Sequence, residues 1–460
     1  MAVRLQSMTE GPLGRQMFRF SLPLMLSNVL QVLFNMSDIA VVGQFAGSAA
    51  LGAVGSTTIL VTLFTGLVIG MGNGVNVLTA NYFGARRNRD LETLVHTAAL
   101  VCLLEGLFLL TVGVGFARGL LAMLHTKEEL MAGAVLYLRL YFLCMPAAAL
   151  FNYGSGVLCA VGETKRPLCY LMGAGVLNVL LNLFFVIVCR LDVAGVALAS
   201  VIAQYVSAAL VLAALVRSPA PCGLRWKRLR LDGEKARALL VIGVPSGLQN
   251  AIFAAANLFI QAGVNSFDAL VVAGNAAAAN ADGLVYDMMA AFYTACSSFI
   301  GQNYGAGKRE RILRSYFISL AYSFGLAALL GCLLVLFGRE FLALFTPDAA
   351  VAEAGLTRLR IMGLSYAFSA FMDCTIAASR GLGRTLVPTI LVVLGSCVFR
   401  VIWVYTVFAW FGTITSLYLL YIFSWSITAA AEIVYFARLY RKLFPRALTE
   451  TRNSGYNTAK

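Results

Sequence analysis

Charged side chains are scarce in this 460-residue chain, at 12%, histidine occurs only at His96 and His125, and no two cysteines stand at a CxxC spacing. Each shortage removes a class of function. A water-soluble domain averages about 25% charged residues, so a content this low excludes an ordinary soluble globule. Two isolated histidines, with neither an HExxH nor a GxSxG run, leave metal hydrolysis and serine catalysis without residues, and no enzymatic activity is expected. The run Gly305-Ala306-Gly307-Lys308 falls short of a phosphate-binding loop: Gln302 stands where the leading glycine belongs, and Arg309 where serine or threonine should follow the lysine. It reads instead as a turn. The ten cysteines, Cys102 and Cys332 among them, are scattered through apolar stretches and read as small hydrophobes. No cofactor is expected, and without a nucleotide-binding domain any work must draw on an ion gradient.

What the chain has in excess is apolar sequence, 60% of all residues, in recurring blocks of about 20 or more, each long enough to cross a hydrocarbon core of about 30 Å. Twelve spans are expected, near 17–42, 53–80, 94–116, 133–160, 168–190, 193–216, 239–264, 270–300, 313–338, 356–380, 386–411 and 414–437. The fold class is therefore an all-α polytopic membrane protein with both termini on one side. Of the 35 lysines and arginines, 27 fall on that side, seven fall in the opposite loops and adjoining helix ends, and Arg400 lies within a span. By the positive-inside rule both termini are expected in the cytoplasm and the chain in the plasma membrane. The basic residues then read as orientation signals and lipid-headgroup contacts, not as a nucleic-acid site. The first apolar stretch is too long for a cleavable signal and lacks a small-residue cleavage site, so it is expected to stay in the protein.

The polar residues left inside the spans are ordered. In Ser21–Gly47 the side chains of Asn28, Gln31, Asn35 and Asp38 recur at steps of three, four and three, which puts all four on one helix face. A carboxylate inside a span costs about 2.5 to 3.5 kcal/mol on insertion scales, so that face is expected to look at a cavity and not at lipid. Asn178 and Asn182 lie one turn apart on the fifth span, and Ser200, Gln204 and Ser207 follow at steps of four and three on the sixth. Together with the stripe they can assemble a polar cavity. Pro23 and Pro245 each remove a backbone hydrogen bond inside a span, so bends and a hinge role are expected there. The glycine-rich stretch Gly66–Gly74 reads as a close helix contact. Further in-span charges are Asp282, Asp287, Asp373 and Arg400, while Glu105 and Glu432 are expected as structural salt bridges or snorkelling ends.

The second half of the chain repeats the first. Ser21-Leu22-Pro23 returns as Gly243-Val244-Pro245, and at the same offset Asn28 meets Asn250 and Asn35 meets Asn257. Tyr82-Phe83-Gly84-Ala85 answers to Asn303-Tyr304-Gly305-Ala306, and the run Gly162 to Pro167 to the run Gly383 to Pro388. The repeated stripe reads Asn250, Asn257, Gln261 and Asn265, with Ile260 where the acid would stand. The expected units are residues 1–216 as an N-terminal six-helix lobe, 217–238 as a basic linker, 239–437 as a C-terminal six-helix lobe and 438–460 as a tail. Parallel duplication of this kind is the usual build of an alternating-access transporter, with substrate between the lobes.

Pro23, Asp38 and the run Val42 to Leu51, with the runs Gly243 to Gln249, Gly301 to Lys308 and Arg380 to Pro388, make the chain resemble the multidrug and toxic compound extrusion (MATE) transporters over nearly its whole length. The resemblance implies a V-shaped pair of lobes that export organic cations in exchange for protons or sodium. It makes Asp38 the ion-coupling residue, and a sodium ligand if sodium is the ion, with Asn178, Asn182 and Ser200 beside it. The family's fifth-span Asn-x-x-x-Asp pair reads Asn178 and Asn182 here, without the second carboxylate. Gln31, Asn35, Asp373, Asn257 and Gln261 are the candidate substrate contacts, and aromatic faces add about 0.5 to 2 kcal/mol per cation–π contact. The expected partners are a small organic molecule and membrane lipid, with the chain acting as a monomer. A flippase for lipid-linked oligosaccharides is the alternative, weakened because it needs basic residues deep in spans, where only Arg400 and Arg139 were placed.

Overall fold

The computed structural model describes residues 6–445, so Arg4 and most of the 438–460 tail lie outside the described residues. Helices α1 Leu13–Val41, α2 Gly47–Gly84, α3 Asn88–Met123, α4 Glu128–Phe142, α5 Met145–Ala160, α6 Lys165–Leu183 and α7 Asp192–Val216 build the first half. The second half consists of α8 Gly233–Val264, α9 Ala269–Gly305, α10 Arg309–Leu336, the short α11 Gly338–Ala343, α12 Ala349–Gly381, α13 Leu386–Val392, α14 Phe399–Trp403, α15 Ala409–Phe411 and α16 Ile414–Leu443. Helices α13 to α15 form one span, continuous through the π-helical turns Val393–Val398 and Val404–Phe408.

Ten of these stretches are long and apolar enough to cross a membrane, and the pair α4 and α5, bent by 42°, makes an eleventh. The twelfth expected span is α9, 37 residues long but diluted by Asn275, Asn280, Asp282 and Asp287. It buries Asn275 and half-buries Asp282 and Asp287, while Asn280 is exposed, and these polar residues are why composition alone underrates it. The last span runs to Leu443, beyond its expected end at 437.

The two largest of four apolar cores divide the chain. One gathers residues from Val41 to Ile242 and the other from Ile260 to Ala429. The repeat extends to backbone detail. Helix α2 ends in a turn where Ala85 N–H donates to Asn81 at 3.0 Å, Arg86 to Phe83 at 3.1 Å and Arg87 to Tyr82 at 3.0 Å. Helix α9 ends in the same turn, with Ala306 to Gln302 at 3.0 Å, Gly307 to Tyr304 at 3.0 Å and Lys308 to Asn303 at 2.9 Å. Both turns need a left-handed residue, Arg86 at φ 55° and Gly307 at φ 69°. Gly162 and Gly383, at φ 87° and 75°, close α5 and α12 in the same manner. The phosphate-loop resemblance at Gly305 to Lys308 is thus one copy of a duplicated turn.

The lobes meet along α1 and α2 on one side and α8 and α9 on the other. Gly66–Gly74 is the contact its composition suggested: a Cβ on Gly70 would land on the backbone of Gly247, and one on Gly74 would stand 3.1 Å from Gly243. Among the described residues, the side-chain hydrogen bonds joining the lobes lie between the helix midpoints and the basic end. Near the midpoints Asn28 donates to the carbonyl of Asp287 at 2.6 Å and Asn250 to that of Gly66 at 3.2 Å. Toward the basic end Ser298 donates to Asn76 at 3.0 Å and Gln302 to the carbonyl of Ala160 at 2.6 Å. The linker is docked on the N-terminal lobe, where buried His96 accepts from the Arg225 N–H at 3.0 Å.

Candidate functional site

Asp38 opens the last turn of α1, which runs directly into the π-helical turn Val42–Ala46. A second π-helical turn, Phe184–Val188, follows Asn182 on α6. Such turns insert one residue, rotate the side chains that follow, and recur at functional sites. Asp38 is half-buried, and its Oδ1 accepts from Asn182 Nδ2 at 2.5 Å while the Ser200 hydroxyl of α7 donates to Oδ2 at 3.4 Å. Asn178 links the group, its Nδ2 reaching Ser200 Oγ at 3.3 Å and its Oδ1 accepting from Asn182 at 3.3 Å. With the Asn178 amide turned over, its Nδ2 donates to Asp38 Oδ1 at 2.8 Å and its Oδ1 accepts from Ser200. The four residues expected from three separate spans therefore form one constellation.

Asn178 and Asn182 are buried at 6% and 0% exposure, and Ser200 is half-buried. Asn182 Oδ1 is buried with no partner among the described residues. That orphan oxygen, the Asp38 carboxylate and the Ser200 hydroxyl make an all-oxygen donor set carrying one negative charge. Oxygen donors of this kind suit a hard cation. A single carboxylate among neutral donors fits one monovalent ion, whether a proton on Asp38 or a sodium ion between the oxygens.

The remaining residues of the stripe go elsewhere. Asn28 is used in the lobe interface, and Gln31 and Asn35, between it and Asp38, are exposed. Pro23 and Pro245 sit inside unbroken helices α1 and α8. A proline leaves the carbonyl four residues earlier without its N–H, and for Pro245 that carbonyl, Val241, accepts from the Thr385 hydroxyl at 3.0 Å. Thr385 belongs to the repeated run Gly383 to Pro388, so that run has a local task in pairing the carbonyl that Pro245 leaves free in α8.

The C-terminal lobe carries a different polar core. Arg400 is 2% exposed, donates to Asn257 Oδ1 at 3.1 Å and to Ser424 Oγ at 3.3 Å, and has the rings of Tyr421, Phe253 and Trp425 at 4.8, 5.2 and 6.0 Å. No carboxylate lies within ion-pair distance of it among the described residues. Asn257 is thus engaged by Arg400, and Gln261 bonds Asn265 one turn along its own helix at 2.8 Å. Asp373 has Arg380 and Arg400 as charged neighbours and does not join Asp38.

Three expectations need correction. Arg358, counted with the loop-end cations, is 4% exposed and pairs with Asp282, which also bonds the Tyr366 hydroxyl. Its second nitrogen donates to Asn275 at 2.8 Å. Arg400 is therefore joined by Arg358 as a buried cation, whereas Arg139 is exposed, and sequence periodicity missed Arg358 because its partner is on another helix. Glu432 is neither paired nor snorkelling: it is 0% exposed and both carboxylate oxygens lack a hydrogen-bond partner among the described residues. Glu105 likewise has no ion-pair partner among the described residues, and its Oε2 is buried without one.

Comparison with known proteins agrees with this architecture. The MatE family signature matches twice, over residues 23–184 and 245–406, each match starting at one of the paired prolines. The probable multidrug resistance protein YpnP of Bacillus subtilis (strain 168) is 27% identical over 367 residues, covering 78% of this chain and 80% of that protein. The multidrug export protein MepA of Staphylococcus aureus (strain MRSA252) is 21% identical over 388 residues, covering 82% of this chain and 84% of its own. Among solved structures, the outward-facing conformation of a multidrug resistance MATE family transporter superposes with a TM-score of 0.89 at 20% identity, over 96% of this chain and 99% of that one. With two copies of the signature in two six-helix lobes, the chain belongs to the MatE family of multidrug and toxic compound extrusion transporters.

Proposed function

We propose that this transporter exports organic compounds, cationic or aromatic, across the plasma membrane in exchange for a proton or a sodium ion, by alternating access with both termini in the cytoplasm. The observation that carries the proposal is the constellation around Asp38, a half-buried acid supplied with neutral oxygen and amide partners. In this reading Asp38 holds the ion and Asn178, Asn182 and Ser200 shape its site, with Asp38 and those oxygens as ligands where the ion is sodium. Gln31 and Asn35 offer polar contacts to substrate from the N-terminal lobe, and Asn257, Gln261 and Asp373 from the C-terminal one. Pro23 and Pro245 serve as hinges, and residues 1–216 and 239–437 move as units about the linker 217–238. A ligand moves such an equilibrium only through unequal affinity for its two states. Ion and substrate must then favour opposite states for the exchange to be obligatory.

The test is ethidium efflux from energised cells expressing either the native chain or Asp38→Asn at matched levels. Efflux from the variant is expected to fall to the level of cells without the protein. Undiminished efflux would remove Asp38 from the mechanism.

A further inference from the structure

At the basic end, the segment ahead of α1 lies across both lobes. Gln6 N–H donates to the carbonyl of Val161 at 2.9 Å, on the N-terminal lobe. Two residues later Met8 N–H donates to Gln302 Oε1 at 2.8 Å, and its carbonyl accepts from Arg311 at 3.2 Å, both on the C-terminal lobe. Lys308 donates to the Thr9 carbonyl at 2.9 Å and Arg311 to that of Gly11 at 3.0 Å. Met8 is 2% exposed and Gln302 0%, so this strap is built into the seam and not laid over it.

Beside the strap is a cavity of about 720 Å³, floored by Met8, Phe20 and Phe299 and rimmed by Arg15, Arg19 and Lys165. Phe20 and Phe299 come from opposite lobes and meet edge to face at 5.6 Å. Arg15 and Arg19 stand one turn apart on α1, and Lys165 opens α6. None of the three has an ion-pair partner among the described residues, whereas Glu163, the acid in the lining, lies 3.7 Å from Arg166. Arg15 and Lys165 sit in the first turn and Arg19 in the second turn of membrane-crossing helices, where basic residues meet lipid headgroups. An apolar floor under an unpaired cationic rim matches a phosphate group attached to acyl chains, and basic clusters beside membrane helices recognise anionic headgroups.

We propose that this cavity binds the headgroup of an anionic phospholipid, and that the bound lipid favours the arrangement in which the strap joins the two lobes. Its walls come from both lobes and from the strap, so separating the lobes dismantles the site. A ligand that needs the assembled site stabilises the assembled state. The site is remote from Asp38 and would set the balance of conformations without touching the transported ion.

Hydrogen–deuterium exchange on the full chain in nanodiscs tests this. The discs contain phosphatidylcholine alone, or phosphatidylcholine with phosphatidylglycerol. For the native chain phosphatidylglycerol is expected to slow exchange severalfold in peptides covering 6–20, 160–166 and 299–311. Arg15→Gln/Arg19→Gln/Lys165→Gln is expected to lose that dependence, and Lys165→Gln alone, at an exposed residue, to lose part of it, which keeps the test available if the triple variant folds poorly. Removing three linker cations, Arg225→Gln/Arg228→Gln/Arg230→Gln, is expected to leave the effect in place. The proposal is overturned if phosphatidylglycerol has no effect on the native chain, or if its effect survives the loss of the rim cations. It is overturned as well if the linker variant abolishes the effect, or if inorganic phosphate added to phosphatidylcholine discs reproduces the protection, which would make the occupant free phosphate.

Discussion

Asn182 spends its amide N–H on Asp38 and keeps a buried oxygen without a partner, so a change there acts on the acid's environment without removing the acid. Asn182→Leu deletes both contributions. A hydrogen bond to a charged group is worth about 1.5 to 3 kcal/mol, so ion-driven efflux is expected to drop roughly ten- to a hundredfold, read as initial rates of dye export at matched expression. Arg358 gives a contrasting case, since it is buried against a half-buried Asp282, far from the proposed ion site. Arg358→Met strands a half-buried carboxylate, a loss of up to about 3 kcal/mol, whereas Arg358→Met with Asp282→Leu should recover most of it. Thermal unfolding in detergent distinguishes the two, and a double variant no more stable than the single one would show that the pair is not what matters. The acid on α1 was legible because an isolated carboxylate in an apolar run has few places to go. Arg358 was not legible, because at the edge of its expected span it looked like a loop cation until Asp282 and Asn275 were found against it.

The elements were readable wherever one helix carried the signal by itself. The step pattern from Asn28 to Asp38 predicted a common face, and α1 presents it, but which neighbour receives each residue depends on packing. Asn28 reaches the backbone of α9 while Asp38 turns into its own lobe. The glycines of α2 were readable for the same reason, as small residues make sense only beside another backbone. Gly70→Val would drive a side chain into the backbone of Gly247, and folded protein recovered in detergent is expected to fall below detection. Gly55→Ala, with open space around its Cβ position, should be tolerated at full yield. The hydroxyl that serves α8 was hidden, since nothing in the run Gly383 to Pro388 says that Thr385 bonds the carbonyl freed by Pro245. Thr385→Val leaves that carbonyl unpaired and should cost about 1 to 3 kcal/mol in thermal stability, with Thr385→Ser close to the native value.

The two lobes share helices and helix-ending turns but not charge. The N-terminal lobe holds an acid among neutral partners, and the C-terminal lobe holds Arg400 among aromatic rings and the pair of Asp282 with Arg358. Duplication thus supplied the scaffold twice, and substitution made one copy suited to a cation while the other became occupied by its own. The lobes are hydrogen-bonded from their middles to the basic end, which leaves the acid in the half away from that seam. In the proposed exchange, ion uptake at Asp38 favours one arrangement of the lobes and substrate the other, so the two movements are tied through a single carboxylate. The most direct measurement is made in proteoliposomes with an imposed pH or sodium gradient, recording ion flux on addition of ethidium for the native chain and for Asp38→Asn. The account predicts that ethidium dissipates one of the two gradients through the native chain and neither through the variant, which still binds ethidium; equal ion flux through both proteins would contradict it.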